Sequence, residues 1–425
     1  MGPAGAIVLS AQYALLTAAS ALAVSWASGA AAQVDLLSAD TLHGVVDLRA
    51  AAADGEPSFT TFGFGKFRYG GGVDGDYDPK AQIALAALEW TPRLSWDWTA
   101  VVDAGHQPGQ ENWFDLYQAY LVFKPLPRAS TRFRARIGYF YPPVSLENDA
   151  PVWGVTNTIT PSAINSWIGE EVKVGGVEAT VSHDFGDQEL AVTGALYGVD
   201  DTAGALLAYR GWALDDLKSQ PFGDFNLPPL SPFLTRLQQD QTYSNRELAG
   251  RMGWYAMLEW RPPIPVALQL FHYDNRANGT SESIDQQWAW ATQFTDIGAS
   301  AQLDAHTRLL AQGLEGDTRI GSEGSPLVWT SFESAYLLAS HDLGADTLTA
   351  RADVFETTDA APRPPAPLGE RGWALTAAWR HPVTKRLDLR IEAVHIDSDR
   401  PSRVVAGEAP DQSQTMFQSS LRLTF

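Results

Sequence analysis

Apolar and polar residues alternate with a period of two along most of the chain, in segments of about ten residues set between turn-forming clusters. In 94–105, Leu94, Trp96, Trp98, Ala100 and Val102 share one face, and Ser95, Asp97, Thr99 and Asp103 the other. In 113–124, Phe114, Leu116, Tyr120 and Val122 oppose Asp115, Tyr117 and Ala119. Successive side chains of a strand point to opposite sides, so each segment reads as a strand with one apolar and one wet face. The same pattern predicts strands over 81–90, 130–141, 170–181, 189–199, 248–260, 264–274, 286–296, 305–316, 327–339, 346–357, 371–381, 386–397 and 412–425. One more comes from either Thr41–Ala52 or Ser58–Tyr69, which brings the count to about 16. If both cross and another strand hides in 200–247, the count rises to about 18.

The connections are of two alternating kinds. Short ones are 91–93, 125–128, 183–187, 262–263, 341–344 and 381–384; long ones are roughly 70–80, 142–169, 200–247, 317–326, 358–370 and 398–411. Strands of about ten residues suit a tilted bilayer crossing, and a short-long alternation suits tight periplasmic turns and long outer loops. The fold class is therefore all-β, a transmembrane antiparallel barrel over 33–425. In 200–247, the stretch Leu206 to Leu214 reads as a short helix in a long external loop.

Both chain ends bear on the compartment. Met1 to Val34 holds no charged side chain, Ala14 to Val24 is apolar, and Ala30-Ala31-Ala32 offers small residues for cleavage, so 1–32 resembles a secretory signal peptide without the usual basic start. The last strand places Phe417, Leu421, Leu423 and Phe425 on one face, and a terminal Phe425 resembles the signal read by the barrel-assembly machinery. Together these predict the outer membrane of a Gram-negative bacterium, with its lipid as a partner.

Composition fits that reading. Mean hydropathy is −0.16, too polar for a helical membrane protein, yet the chain carries 15 Trp, 13 Tyr and 18 Phe. Trp90, Trp260 and Trp379 each fall at a strand end before a short turn, the headgroup level of an aromatic girdle. The net charge of −20 argues against nucleic acid. Acidic residues such as Asp74, Asp76, Asp78, Asp200, Asp201, Asp215 and Asp216 read as solvated charges on external loops. With no Cys, there is no disulfide framework or lipoprotein anchor.

Candidate chemistry centres on the third external connection. In Thr131-Arg132-Phe133-Arg134-Ala135-Arg136-Ile137-Gly138-Tyr139 the three arginines share a face, and the following loop carries Glu147 and Asp149. On a lipid face each guanidinium would cost about 2–4 kcal/mol near the midplane, so Arg132, Arg134 and Arg136 must face the lumen. There they can select or orient passing solutes, or pair with lumenal carboxylates and stiffen the wall. Further inward charges, Arg251 with Glu259, Arg351 with Asp353, and Arg390 with Asp388 and Glu392, read as wall ion pairs, with an arginine ladder along the pore as the functional alternative.

Arg136 to Asn148, with Gly138, Phe140, Pro142, Pro143 and Glu147, resembles the corresponding stretch of phosphate-selective-type porins, and the whole pattern resembles the Gram-negative outer-membrane porin superfamily. The resemblance implies a barrel of about 16 strands, a third loop folded inward to a constriction opposite an arginine row, and homotrimers. The scarcity of Lys departs from the lysine-rich mouth of a phosphate channel. The expected function is a porin-like channel for small hydrophilic solutes, anionic ones included, with no cofactor or metal. The alternatives are a plugged structural or adhesive barrel and an outer-membrane hydrolase. A plug requires a folded N-terminal domain, for which 33–57 is too short. Against hydrolysis, Ser182-His183-Asp184 and Ser340-His341-Asp342 are consecutive strand-end residues, whose side chains alternate in direction and form no relay.

Overall fold

The computed structural model describes residues 36–425 except 73, 128, 244 and 363–365. The expected signal peptide over 1–32 lies outside the described residues. Sixteen antiparallel strands close into one barrel. They are β1 (Leu42–Ala53), β2 (Asp78–Trp90), β3 (Trp98–His106), β4 (Asp115–Phe123), β5 (Thr131–Phe140), β6 (Val174–Phe185) and β7 (Gln188–Gly198), followed by β10 (Gly253–Arg261), β11 (Val266–Asp274) and β12 (Ala291–Gln302). The wall is completed by β13 (Thr307–Ser322), β14 (Ser325–Leu343), β15 (Asp346–Asp359), β16 (Glu370–Pro382), β17 (Leu387–Asp399) and β18 (Asp411–Thr424). Between β7 and β10, β8 (Phe225–Asn226) and β9 (Gln241–Thr242) make a small separate ribbon.

Neighbours in sequence pair throughout, β7 pairs with β10, and β1 closes on β18 from Val45↔Thr424 to Ala53↔Met416. Phe425 extends that seam by exchanging backbone hydrogen bonds with Gly44 at 2.9 and 3.1 Å. Its half-exposed ring lies over residue 44, where a larger side chain would have to push it aside. Closure removes the free edges that a bilayer could not satisfy.

The alternation follows from the two phases the wall separates. Ile297, Leu337, Val354, Leu375, Ile391 and Phe417 are exposed outward, while the adjacent inward positions Asp296, Tyr336, Asp353, Ala374, Glu392 and Met416 are buried. Every segment predicted from the period is a wall strand, with ends displaced, and of the two N-terminal candidates it is Thr41–Ala52 that forms one. Ser58–Tyr69 instead enters the barrel, where Phe59, Phe64, Phe67 and Tyr69 are buried. The expected long loop at 317–326 is replaced by continued strand, β13 and β14 meeting in a tight turn. The reason is visible inside: Ile320 and Val328 on these extensions pack against Leu206, Tyr209 and Trp290.

Candidate functional site in the barrel lumen

Three inserts from the long-loop end fill the lumen: 54–77, 141–173 and 199–252. The second is the loop expected over 142–169, and it does fold inward. Its short helix Ala163–Ile168 is capped by Ser162, whose Oγ accepts from Asn165 N. The amides that open the helix point at carboxylates: Ser162 N donates to Glu147 at 2.9 Å and Ala163 N to Asp353 at 3.1 Å. Arg351 then lies between the two acids, 3.2 Å from Glu147 and 2.8 Å from Asp353, and donates to the carbonyls of Thr160 and Pro161. All four polar side chains of this knot are buried, so their charges are held by mutual pairing and backbone donors.

The same loop is stitched to the wall elsewhere. Glu392 accepts from Ile159 N at 2.6 Å and Thr160 N at 3.1 Å, Arg390 donates to the carbonyls of Val155 and Thr158, and Arg422 to that of Val155. Gln269 and Gln312 both donate to Val144 O, at 2.6 and 2.9 Å. Strands β11, β13, β15, β17 and β18 thus grip the loop through polar side chains, as do Glu89 of β2, Gln118 of β4 and Arg136 of β5.

The 199–252 insert, expected outside, puts its first half in the lumen. The helix Gly204–Tyr209 has no exposed face, with Leu206, Leu207 and Ala208 all buried. A helix that is apolar all round is a buried helix, and that is the signal the sequence held. Trp212 follows it and meets Trp167 of the 141–173 loop at 6.2 Å, and Trp167 meets Phe294 and Phe332 of the wall at 5.4 and 5.1 Å. One apolar cluster joins Phe67, Trp167, Leu207 and Trp212 from the inserts to buried residues on every wall strand except β2, β3 and β4. On the β2–β4 side a smaller apolar cluster of Val45, Leu85, Ala87, Tyr117 and Val152 adjoins unpaired polar atoms. Asp103 Oδ1 and the hydroxyls of Tyr117 and Tyr141 are buried there without a hydrogen-bond partner.

Ion pairs tie the three inserts together. Arg210 grips Glu171 at 2.6 Å, Lys218 grips Glu170 at 2.6 Å, and Lys66 pairs with Glu370. Asp216 is held by Arg49 at 2.8 Å and Arg68 at 3.0 Å. Burial would raise its carboxyl, but the two guanidiniums hold it down at about 2. Asp200, Asp201 and Asp215 are buried as well, so these acids are not the solvated loop charges their sequence position suggested. Sequence reasoning missed Lys66, Arg68 and Arg210 and placed Asp216 outside, because nothing local distinguishes a loop charge in water from one in a lumen.

The arginine row lies on the inward face of β5, and the structure does not bring it to Glu147 or Asp149. Arg136 pairs with Glu178 of the next strand at 2.7 Å and donates to Tyr141 O; Phe140 lies beneath its guanidinium at 4.0 Å. Arg132 pairs with Asp184 at 2.6 Å and Glu189 at 3.1 Å. Arg134 is exposed and makes no ion pair among the described residues. Glu147 is in the Arg351 knot, and Asp149 lies 3.4 Å from Arg308. Of the expected wall pairs, Arg351 with Asp353 and Arg390 with Asp388 (3.3 Å) are formed. Arg251 is exposed ahead of β10, and Glu259 has Arg261 as its neighbour at 3.6 Å.

Trp90, Trp260 and Trp379 sit near the short-turn ends of β2, β10 and β16; Trp90 donates to Leu36 O, Trp260 to Gln188, and Trp379 stacks on His381 at 5.7 Å. The two Ser-His-Asp runs, which read as turn residues, lie among the last residues of β6 and β14, and their histidines bond across the strand pair, His183 to Thr131 at 2.7 Å and His341 to Thr307 at 2.9 Å. No helix among the described residues is long and apolar enough to cross a membrane.

No protein-family model and no curated protein matches the chain. Solved structures do. The outer-membrane channel DcaP of Acinetobacter baumannii, 12% identical, superposes over 90% of this chain and 96% of that one with a TM-score of 0.55. The anion-selective porin from Comamonas acidovorans, 13% identical, covers 91% of this chain and 99% of its own with a TM-score of 0.50. At these identities the likeness is one of fold, and the chain is a closed antiparallel β-barrel of the sixteen-stranded porin fold.

Proposed function

We propose that the protein is a porin-type channel for small hydrophilic solutes whose lumen is kept shut by its own 199–252 insert. The observation that carries this is the apolar cluster that runs from the inserts to thirteen of the sixteen wall strands. A barrel of this size otherwise leaves an aqueous lumen, and a hydrated solute does not cross a packed apolar core. The path opened by withdrawing the insert runs beside β3, β4 and β5, where Asp103, Tyr117 and Tyr141 leave polar atoms free. Arg134, exposed and outside any ion pair among the described residues, stands toward its short-turn end, while Arg132 and Arg136 are neutralised by wall carboxylates.

Liposome swelling in small sugars tests the reading. Reconstituted full-length protein should swell slowly, and a variant lacking 204–243 should swell fast. A deletion variant that folds and stays impermeable assigns the barrel to the plugged, structural class.

A further inference from the structure

The two ends of the 199–252 insert are joined crosswise by their own carboxylates. Asp201, near the start, accepts from Leu248 N at 2.7 Å and Ala249 N at 2.6 Å, near the end. Glu247, near the end, accepts from Val199 N at 3.0 Å, at the start, and from Gly250 N at 2.6 Å. This crosswise bonding brings the two carboxyls together at the neck of the insert. Two ionised carboxylates side by side out of water repel each other, and a proton on one of them removes that repulsion and supplies a donor where both have only acceptors.

The surroundings supply no cation to take the proton's place. Among the described residues, none of Asp200, Asp201 and Glu247 is ion-paired, and Arg246 is turned away to Asp285 at 2.5 Å. Asp200, 1% exposed, has no hydrogen-bond partner on either oxygen. The groups that face this corner from the wall add no positive charge: Tyr139 of β5, Tyr197 of β7 and Asp274 of β11. Val199, where the insert leaves β7, has φ of 68°, a left-handed conformation unfavourable for a β-branched residue. Its amide is held by Glu247, so the pair also fixes a strained hinge.

We propose that Asp201 and Glu247 form a proton-held latch, in which a shared proton keeps the insert seated and its loss lets the two ends part and the lumen open. This rests on the reading of 199–252 as the plug. The direction of the pH effect follows from linkage. Burial, with Glu247 beside it, moves the Asp201 carboxyl from 3.8 up to about 7, and burial moves Asp200 well above the carboxylate range. The seated insert therefore binds the proton more tightly than the released one. Seating is fully favoured below about 4, weakens as the pH rises, and through Asp201 changes no further above about 7. A single proton allows up to about a tenfold change in the open-to-seated ratio per pH unit within that window.

The chain has no Cys, so Ala208→Cys in the buried helix places one reporter thiol inside the plug. Its labelling by a polar maleimide is measured in full-length refolded protein from pH 5 to pH 8, with the latch intact and with Asp201→Asn/Glu247→Gln. The amide pair keeps the accepting oxygens and cannot ionise, and dividing one rate by the other removes the thiol's own titration. The ratio should climb at least tenfold with pH. Rates that rise in parallel would overturn the latch. Heat-modifiable migration on gels verifies folding, and Glu247→Gln alone serves if the double variant does not refold. Swelling assays on the 204–243 deletion separate the two readings: an impermeable deletion with a climbing ratio sinks the channel and keeps the latch.

Discussion

The 141–173 and 199–252 inserts both enter the lumen, but they are held there by different chemistry. The first is gripped by wall side chains, with Glu147, Arg351, Asp353 and Glu392 bonding to its backbone or to each other in the dry interior. Losing any one leaves its partners charged and buried. The second adds apolar faces, Leu206 and Leu207 of its helix and Trp212, to polar ties that run both to the wall, as Asp216 to Arg49 and Trp212 N to Glu370, and to the 141–173 insert, as Arg210 to Glu171 and Lys218 to Glu170. Apolar contact is non-directional and is regained in any well-packed position, whereas a buried ion-pair knot has one geometry. In the proposed channel 141–173 is the fixed insert and 199–252 the one that withdraws, which breaks its ties to Arg49, Glu370 and Glu171 as well as its apolar contacts.

That contrast can be broken at specific residues. Arg351→Ala strands Glu147 and Asp353 and should cost about 3–5 kcal/mol of barrel stability, read as a lower unfolding midpoint in detergent. Arg351→Met should cost less only if both acids can protonate, so its deficit should shrink at low pH. Leu207→Ala should weaken seating by about 2–5 kcal/mol and raise the permeable fraction, with the unfolding midpoint of the wall nearly unchanged. If Leu207→Ala instead lowers that midpoint as far as Arg351→Ala does, the two inserts are equally part of the wall. The smallest effect belongs to Arg134→Ser, within about 0.5 kcal/mol of wild-type stability and visible only as a shift of reversal potential away from anions.

The wall was legible in the sequence because a strand between lipid and lumen has no freedom about which side is apolar. Leu94 to Asp103 or Gln414 to Phe425 declare both faces in a dozen residues. The interior was not, because its partners are remote: Glu147 meets Arg351, and Arg403 meets Glu56 at 2.7 Å. The arginine row could be placed on the lumen face by the cost of facing lipid, but its neutralisation by Glu178, Asp184 and Glu189 depends on register. The plug needed no N-terminal domain, since loops supply it. Its one local signal was Gly204–Tyr209, six residues with no charged side chain in what read as a solvated loop.

Single-channel recording in planar bilayers tests the central claim most directly, comparing full-length protein with the 204–243 deletion at pH 5. The account predicts a nearly silent full-length barrel and stable ohmic steps from the deletion. Large, steady steps of equal size from both proteins would show that the lumen is open with the insert in place, and would contradict it.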